Sequence, residues 1–257
     1  MVIDTHCHIY DTVFDADRDK LICQSKDLGI EALIMPNVDM DSLKPLISCA
    51  QTYPGFCIPL IGLHPCAVNA NYKSQLVEIQ SHWDKITWQG IGEIGLDFYW
   101  SKTFEKEQEQ VFLEQIDWAV QKQLPAILHN RNSLERCLEL LENLEHLPEL
   151  VFHCFGESYE MAKRCLNLNT KVMFGIGGVL TFKQSHLRET VKQLGISNIV
   201  IETDAPYLAP VPFRGKRNIP PYIFETAKLL SETLKMEIYD VYRETTKNAR
   251  LIFSNLD

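Results

Sequence analysis

Several features that would assign a chain to a familiar class are missing from this sequence of 257 residues. No apolar run approaches the roughly 20 residues that a membrane span needs. No basic segment followed by an apolar one marks a secretory signal near the N-terminus. None of the eight cysteines belongs to a C-x-x-C pair. We therefore expect free thiols, packed as small apolar side chains, in a protein of the reducing cytoplasm.

An excess of positive charge is also lacking, because the formal net charge at pH 7 is −9. This balance argues against binding nucleic acid over a broad basic surface. It does not argue against an enzyme in which metal ions and one local basic loop contact the phosphates. No glycine-rich phosphate-binding fingerprint follows the first predicted strand either.

Apolar strand-like runs alternate with segments of helical period along the whole chain. The predicted strands are residues 2–6, 31–38, 56–64, 87–96, 126–129, 150–155, 171–177 and 198–203. The predicted helices are residues 16–28, 41–53, 104–123, 134–144, 159–168, 186–194, 222–234 and 238–253, with Asp41 or Ser42 as the cap of the second. Several strands are near-continuous apolar runs, which is typical of strands buried on both faces.

This alternation predicts the α/β class and a (β/α)8 TIM barrel, in a single domain that spans residues 1–257 and has extra helices at its C-terminal end. A doubly wound open sheet is the alternative. The barrel is favoured because chemically informative polar residues follow many of the strands, and barrel enzymes carry their chemistry at the C-terminal strand ends. An open sheet would concentrate such residues at one switch point.

Those strand-end residues include two imidazoles spaced two residues apart, His6 and His8, which a strand presents on one face. Later strand ends add the other members of the set: Glu93, His129, His153 and Asp204. A single histidine at a strand end is more often a satisfied polar residue than a ligand. The prediction of a metal site therefore depends on the convergence of all six on one face of the barrel.

Six ligands are too many for one catalytic ion that keeps an open position. They suit two divalent ions about 3.5–4 Å apart that share a carboxylate and a water molecule. Imidazole nitrogens with carboxylate oxygens accept Zn, Mg or Mn. A water under two cations loses its proton near neutral pH, so a bridging hydroxide would be the nucleophile. The set predicts metal-assisted hydrolysis.

Four blocks of the sequence resemble the signatures of the TatD-related deoxyribonucleases, a family of metal-dependent TIM barrels in the amidohydrolase superfamily. The blocks are Thr5-His6-Cys7-His8, residues 92–97, His153-Cys154-Phe155 and residues 202–206, with residues 214–218 following. The resemblance extends from residue 2 to about residue 253. It implies that His6 and His8 bind the first ion, Glu93 both ions, and His129 and His153 the second. Asp204 would complete the first site and transfer the proton.

Other polar residues lie around this set. His64, which the family shares, is expected to contact substrate or to act as an acid, although it could simply occupy the turn before Pro65. Arg131 is a candidate phosphate clamp or a partner in a salt bridge. Arg214, Lys216 and Arg217 form the densest cationic cluster, which either binds phosphate or is solvated surface. Asp97 could orient a ligand, and Tyr99 or Trp100 could stack on a base.

The family is associated with phosphodiester hydrolysis in DNA, including trimming of 3′ ends, and some relatives remove D-amino acids from tRNA. We expect a deoxyribonuclease of the 3′-end exonuclease type in which Asp204, Glu93 and His64 are catalytic. The alternative enzyme hydrolyses esters or amides, as a D-aminoacyl-tRNA deacylase or a small-amide hydrolase would. A barrel that binds metal without turnover is the non-catalytic alternative. DNA or another phosphate-bearing molecule is the expected partner, without a membrane or an obligate protein partner.

Overall fold

The structure, a computed structural model, describes residues 1–100 and 102–254. Within these residues eight strands alternate with helices. The strands are β1 (Val2–Asp4), β2 (Ile30–Met35), β3 (Cys57–Pro59), β4 (Ile91–Asp97), β5 (Ala126–Arg131), β6 (Leu150–Phe152), β7 (Val172–Ile176) and β8 (Ile199–Ile201).

Nine α-helices lie in the same described ranges. They are α1 (Arg18–Asp27), α2 (Met40–Thr52), α3 (Tyr72–Gln80), α4 (Glu105–Lys122), α5 (Leu134–Glu142), α6 (Tyr159–Leu166), α7 (Leu187–Leu194), α8 (Ile223–Leu234) and α9 (Ile238–Ile252). Short 3-10 helices cover Thr12–Phe14, Pro65–Ala67, Gly178–Thr181 and Pro220–Tyr222. None of the helices in this part of the chain combines the length and apolar character needed to cross a membrane.

The strands form a closed barrel in which neighbours run parallel. β1, β2 and β3 pair in that order, and so do β4 through β8. A parallel bridge between Ile61 and Ile91 joins the β3 segment to β4, and one between Cys7 and Ala205 joins the ends of β1 and β8. The predicted (β/α)8 barrel is confirmed, and the chain after β8 adds the two expected helices, α8 and α9.

Several strands are shorter than predicted, and two further details of the sequence-based prediction are wrong. Helix α3 was not predicted, because its nine residues bury only Leu76 and Ile79 and no side chain caps its start. The cap of α2 is neither Asp41 nor Ser42 but Asp39, whose side chain accepts a hydrogen bond from the Ser42 backbone. Ser42 completes a capping box by bonding back to the Asp39 backbone, so it belongs to the third helical position.

The barrel core is divided between two clusters because each strand buries both of its faces. Alternate strand residues, such as Ile3, Ile34 and Val200, form one buried cluster together with Ile252 and Phe253. Their strand neighbours pack into the second, larger cluster with the surrounding helices. The last turn of α9 therefore belongs to the same cluster as alternate residues of the strands. The near-continuous apolar runs in the sequence reflect this burial on both faces.

Asp4 fastens β1 to the segment that follows β8. Its Oδ1 accepts a hydrogen bond from the Thr203 backbone N–H at 2.9 Å, and its Oδ2 accepts one from the Thr203 hydroxyl at 2.6 Å. The side chain is completely buried. Burial raises the pKa of Asp4 from 3.8 to about 8, although the bonds from Thr203 oppose the rise. Both oxygens of Asp4 are thus buried acceptors of hydrogen bonds.

We expect Asp4→Ala to lower the free energy of unfolding by about 3 kcal/mol, because it leaves a buried backbone donor without a partner. Asp4→Asn keeps a neutral acceptor of the same shape and should cost about 1 kcal/mol or less. Urea denaturation followed by circular dichroism would measure both. Equal losses in the two variants would contradict a specific role for the Asp4 acceptor.

Candidate metal centre

The six residues predicted as ligands converge at the C-terminal ends of the strands. His6 and His8 follow β1, Glu93 and His129 lie in β4 and β5, His153 follows β6, and Asp204 follows β8. Five of them are buried, and His129 is partly buried. Hydrogen bonds between the ends of β1 and β8 bring the first and last members together: the Asp204 N–H donates to the His6 carbonyl at 2.8 Å, and the His8 N–H donates to the Ala205 carbonyl at 2.7 Å.

Glu93 lies at the centre of the group and divides its two oxygens between different imidazoles. Oε2 is 3.1 Å from His6 Nε2 and 3.8 Å from His8 Nε2. Oε1 is 2.8 Å from His129 Nδ1 and 3.8 Å from His153 Nε2. Burial alone would raise the pKa of Glu93, but the surrounding imidazoles hold it well below its usual value. An ionised carboxylate positioned between two sets of imidazoles has the geometry of a shared ligand.

Asp204 faces the side of the group that contains His6 and His8. Its Oδ1 is 3.7 Å from His6 Nε2 and 3.6 Å from His8 Nε2. Burial would raise the pKa of Asp204, but His153 and His8 hold it below its ordinary value. Asp204 has a left-handed backbone with φ 57°, which aspartate and asparagine tolerate better than most residues.

The hydrogen-bond partners of the histidines determine which ring nitrogen is free to bind a cation. The Tyr10 hydroxyl donates its one proton to the Pro36 carbonyl at 2.5 Å, so it can only accept from His8 Nδ1, 2.9 Å away. A neutral His8 is therefore protonated at Nδ1 and offers a bare Nε2 to the centre. Tyr10 was not recognised from the sequence although it lies only two residues after His8, because its contact with Pro36 forms only in the fold.

His129 is also oriented by a hydrogen bond, but through Nε2 and not through Nδ1 as in His8. His129 Nε2 lies 2.8 Å from Asp97 Oδ2, and a carboxylate can only accept there. Nδ1 is therefore the nitrogen that faces Glu93. Burial lowers the pKa of His129, but the hydrogen bonds with Asp97 and Glu93 more than offset this effect and raise it. Asp97 occupies the ligand-orienting position predicted for it.

His64 differs from the four other histidines. Its Nδ1 accepts a hydrogen bond from the Cys66 backbone N–H at 3.0 Å, as the N-cap of the Pro65–Ala67 turn. A neutral His64 therefore has its proton on Nε2, which lies 3.5 Å from Glu93 Oε1. Proximity alone would group His64 with Glu93 and His129 as a potential ligand set. The tautomer instead makes Nε2 a hydrogen-bond donor, because a metal needs the unprotonated nitrogen.

Glu202 was quoted in a sequence block but not predicted as a site residue, and the structure gives it a defined place behind His153. Its Oε1 accepts from the Cys154 N–H at 2.7 Å and lies 2.9 Å from His153 Nδ1, although that ring nitrogen does not point directly at it. A β-carbon on Gly175 would lie 2.0 Å from Glu202 Oε2, so only glycine leaves room for this carboxylate. Burial lowers the pKa of His153, but Glu202, Glu93 and Asp204 raise it to about 10.

The donor set suits divalent cations. Four ring nitrogens and the oxygens of Glu93 and Asp204 face one another, and close groupings of potential ligands occur around His6, His8 and Glu93 and around His6, His153 and Glu202. Within residues 1–100 and 102–254, buried His6 Nδ1 and Glu202 Oε2 have no hydrogen-bond partner. No lysine or arginine lies within ion-pair distance of Glu93 or Asp204 in the described chain. Bound cations would supply the missing positive charge and displace protons from the histidines.

The four predicted cationic residues differ in how freely they can contact a substrate. Arg217 donates to Asp17 Oδ2 at 2.5 Å and to the Val13 carbonyl at 2.6 Å. Its guanidinium therefore holds the basic loop, residues 214–217, against the Thr12–Phe14 turn. Arg214 stacks on Phe182, with Cζ 3.8 Å from the ring centroid, and Lys216 is exposed. Arg131 follows His129 by two residues and is exposed at the rim. The substrate-binding role of all four stays a prediction, and Arg217 has the strongest competing contacts.

Asn218 connects the basic loop to the Asp204 turn. It is completely buried, and its Nδ2 donates to the Thr203 carbonyl at 2.7 Å and to the Tyr207 carbonyl at 2.6 Å. Asn218 directly follows the cationic cluster in the sequence, and no role was predicted for it. Its contacts fix the C-terminal end of the loop to the residues on either side of Asp204.

We expect Glu202→Gln to weaken the binding of Zn²⁺ or Mn²⁺ by about tenfold or more, because carboxylates that orient a ligating histidine typically contribute 10- to 100-fold to metal affinity. The amide keeps an acceptor for the Cys154 N–H, so the fold should be unaffected. Isothermal titration calorimetry would measure the dissociation constants. Glu189→Gln, at an exposed position of α7, is the matched control. Unchanged affinity in Glu202→Gln would show that Glu202 does not support His153.

Comparison with known proteins identifies a single family. The model of the TatD related DNases matches residues 3–254. The uncharacterized metal-dependent hydrolase YabD of Bacillus subtilis strain 168 is 33% identical over 259 residues, covering 98% of this chain and 99% of YabD. A 3′-5′ ssDNA/RNA exonuclease TatD of Pectobacterium carotovorum is 28% identical, with coverage of 98% and 99%.

Solved structures agree with this result. The crystal structure of YjjV, a TatD homologue from Escherichia coli K12, superposes with a TM-score of 0.91 at 25% sequence identity and covers 98% of each chain. A TatD family hydrolase from Entamoeba histolytica superposes with a TM-score of 0.83 at 20% identity, which concerns the fold alone. This chain belongs to the family of TatD-related DNases and is a metal-dependent hydrolase.

Proposed function

We propose that this chain hydrolyses phosphodiester bonds in nucleic acid, as a deoxyribonuclease that removes nucleotides from 3′ ends. The observation that carries the proposal is the division of the Glu93 oxygens between His6 and His8 on one side and His129 and His153 on the other. A carboxylate shared in this way is typical of centres that hold two cations for in-line displacement at phosphorus. The relative from Pectobacterium named as an exonuclease supports the choice of substrate.

In this proposal His6, His8 and Asp204 would hold one divalent cation, His129 and His153 would hold the other, and Glu93 would contribute to both sites. When bound, such cations supply acidification of a water molecule and compensation of the negative charge on the phosphate. Zn, Mg and Mn all accept this mixture of imidazole and carboxylate ligands.

The protein's own groups then have separate tasks. Asp204 is ionised at neutral pH, because the neighbouring histidines lower its pKa, and it accepts the proton of the attacking water. His64 presents an Nε2–H that donates to a phosphate or leaving-group oxygen. Positive charge at the rim comes from Arg131, Arg214 and Lys216. It offsets the net negative charge of the chain, which would otherwise repel a polyanionic substrate.

We expect Asp204→Asn to reduce nucleotide release from single-stranded DNA by about a hundredfold or more, because it removes the proton acceptor. Asparagine tolerates the left-handed backbone of this position, so the turn should be retained. The assay uses metal-loaded protein with Mg²⁺, Mn²⁺ or Zn²⁺, and chelation by EDTA should abolish the activity of the wild type.

The matched control is Asp240→Asn, a partly exposed aspartate of α9 that pairs with Arg243. Equal, slow release by wild type and Asp204→Asn would contradict the nuclease proposal. Charged tRNAs and small cyclic amides tested in parallel would then identify an ester or amide hydrolase, because the same centre is suited to attack on a carbonyl carbon.

We expect His64→Asn to lower kcat on single-stranded DNA by about a hundredfold while changing metal affinity by less than about twofold. Asparagine retains the N-cap acceptor for the Cys66 N–H but lacks the Nε2 donor. Calorimetry and steady-state kinetics separate the two effects, with His129→Asn as the variant that should lose metal affinity. Weakened metal binding in His64→Asn would instead make His64 a ligand.

A further inference from the structure

Two aromatic side chains next to the candidate metal centre are exposed, although aromatic residues usually gain by burial. Tyr99 and Trp100 follow β4 and are 52% and 68% exposed, with ring centroids 5.0 Å apart and planes at 85°. Their backbone N–H groups both donate to Asp97 Oδ1, at 3.0 Å and 3.1 Å. The same carboxylate bonds to His129 through Oδ2. Asp97 therefore fixes the aromatic pair relative to a residue of the centre.

Arg131 stacks on this pair. Its Cζ lies 4.1 Å from the Tyr99 ring centroid and 5.1 Å from that of Trp100. No carboxylate lies within salt-bridge distance of its guanidinium in the described part of the chain. His129 and Arg131 are two residues apart on β5, so they project from the same face of the strand. A guanidinium that contacts aromatic rings and has no carboxylate partner keeps N–H groups available for a phosphate.

A cavity of about 310 Å³ lies beside Trp100. This size falls within the range of about 300–1,000 Å³ that is usual for small-ligand sites. Its lining combines apolar groups, among them Trp100, Phe104 and Pro65, with a few polar ones such as Asp97 and Gln108. Pro65 directly follows His64, and Asp97 contacts His129, so the cavity adjoins the centre.

We propose that Trp100 and this cavity bind one unpaired nucleobase of the substrate, while Arg131 contacts the phosphate next to that base. The inference rests on the proposed phosphodiester hydrolysis and assigns the binding of a base to residues outside the six candidate metal ligands. A base in a duplex is already paired and stacked, so it must be freed before an aromatic ring can take it. Stacking on an aromatic side chain is tolerant of sequence, since every base has a π-face.

The experiment compares two ligands that have the same number of phosphates. One is a labelled single-stranded oligothymidylate with cleavage-resistant linkages, and the other is an abasic oligomer of equal length. Binding to the metal-loaded protein is followed by fluorescence anisotropy for wild type, Trp100→Ala, Trp100→Phe and Tyr239→Ala. Tyr239 on α9 is 78% exposed and lines neither the centre nor the cavity, so it is the matched control. Hydrolysis of an unmodified oligothymidylate by the wild type is measured in parallel, and circular dichroism verifies the fold of each variant.

Wild type and Tyr239→Ala should bind oligothymidylate about tenfold or more tightly than the abasic oligomer, because base stacking contributes roughly 1–3 kcal/mol per base. Trp100→Ala should bind the two ligands within about twofold of each other, and Trp100→Phe should recover part of the difference. All four proteins should bind the abasic oligomer with affinities within about twofold of one another and give the same circular dichroism spectrum.

Base discrimination by Trp100→Ala equal to that of wild type would overturn the base site and leave the phosphodiesterase proposal standing. The base site would also be overturned if the wild type bound the two oligomers equally well. The loss of all hydrolysis in wild type is a separate result, because it contradicts the proposed function and not the binding of a base.

Discussion

The hydrogen bonds between the ends of β1 and β8 are the constraint on which the rest of this structure depends. Thr5 donates to the Ile201 carbonyl, and Asp4 accepts from both the backbone and the hydroxyl of Thr203. These contacts close the barrel, and they also bring His6 and His8 to Asp204. A loss of register at this junction would thus affect stability and metal binding together. The buried Asp4 links the two because its partner Thr203 immediately precedes Asp204.

Around that junction, electrostatics and hydrogen-bond direction give each histidine a distinct state. Tyr10 fixes the proton of His8, Asp97 orients His129, and Glu202 lies behind His153. These three partners come from different parts of the barrel, so the fold and not the local sequence determines which nitrogen faces the centre. His64 is the exception, because its own turn holds its Nδ1 and leaves a donor toward Glu93. A residue can therefore lie among ligands and still be suited to a different task.

The sequence was informative where the type and spacing of residues indicate one structure or one kind of site. Period-two spacing put His6 and His8 on one face. Apolar runs that end in polar residues predicted the barrel and placed the candidate site at the C-terminal ends of its strands. Contacts made only by tertiary structure were beyond reach, and the clearest cases are Glu202 behind His153 and the Pro36 carbonyl that accepts the Tyr10 proton. Helix α3 was missed because its apolar pattern is weak, and the cap of α2 was misplaced because Asp39, Asp41 and Ser42 are all good caps. Cationic residues were the hardest to interpret, since Arg131 and Arg217 look alike in sequence but have different neighbours.

The closure of the barrel also has a consequence for the order of events during synthesis on the ribosome. Thr5 and its partner Ile201 are 196 residues apart, so the first two histidines leave the ribosome long before the segment that completes their surroundings. Helix α9, which adds Ile252 and Phe253 to the cluster of alternate strand residues, is later still. A nascent chain thus exposes an incomplete set of imidazoles for most of its translation. The complete set of candidate ligands therefore forms only at the final stage of folding, so we expect cation binding to depend on the completed fold.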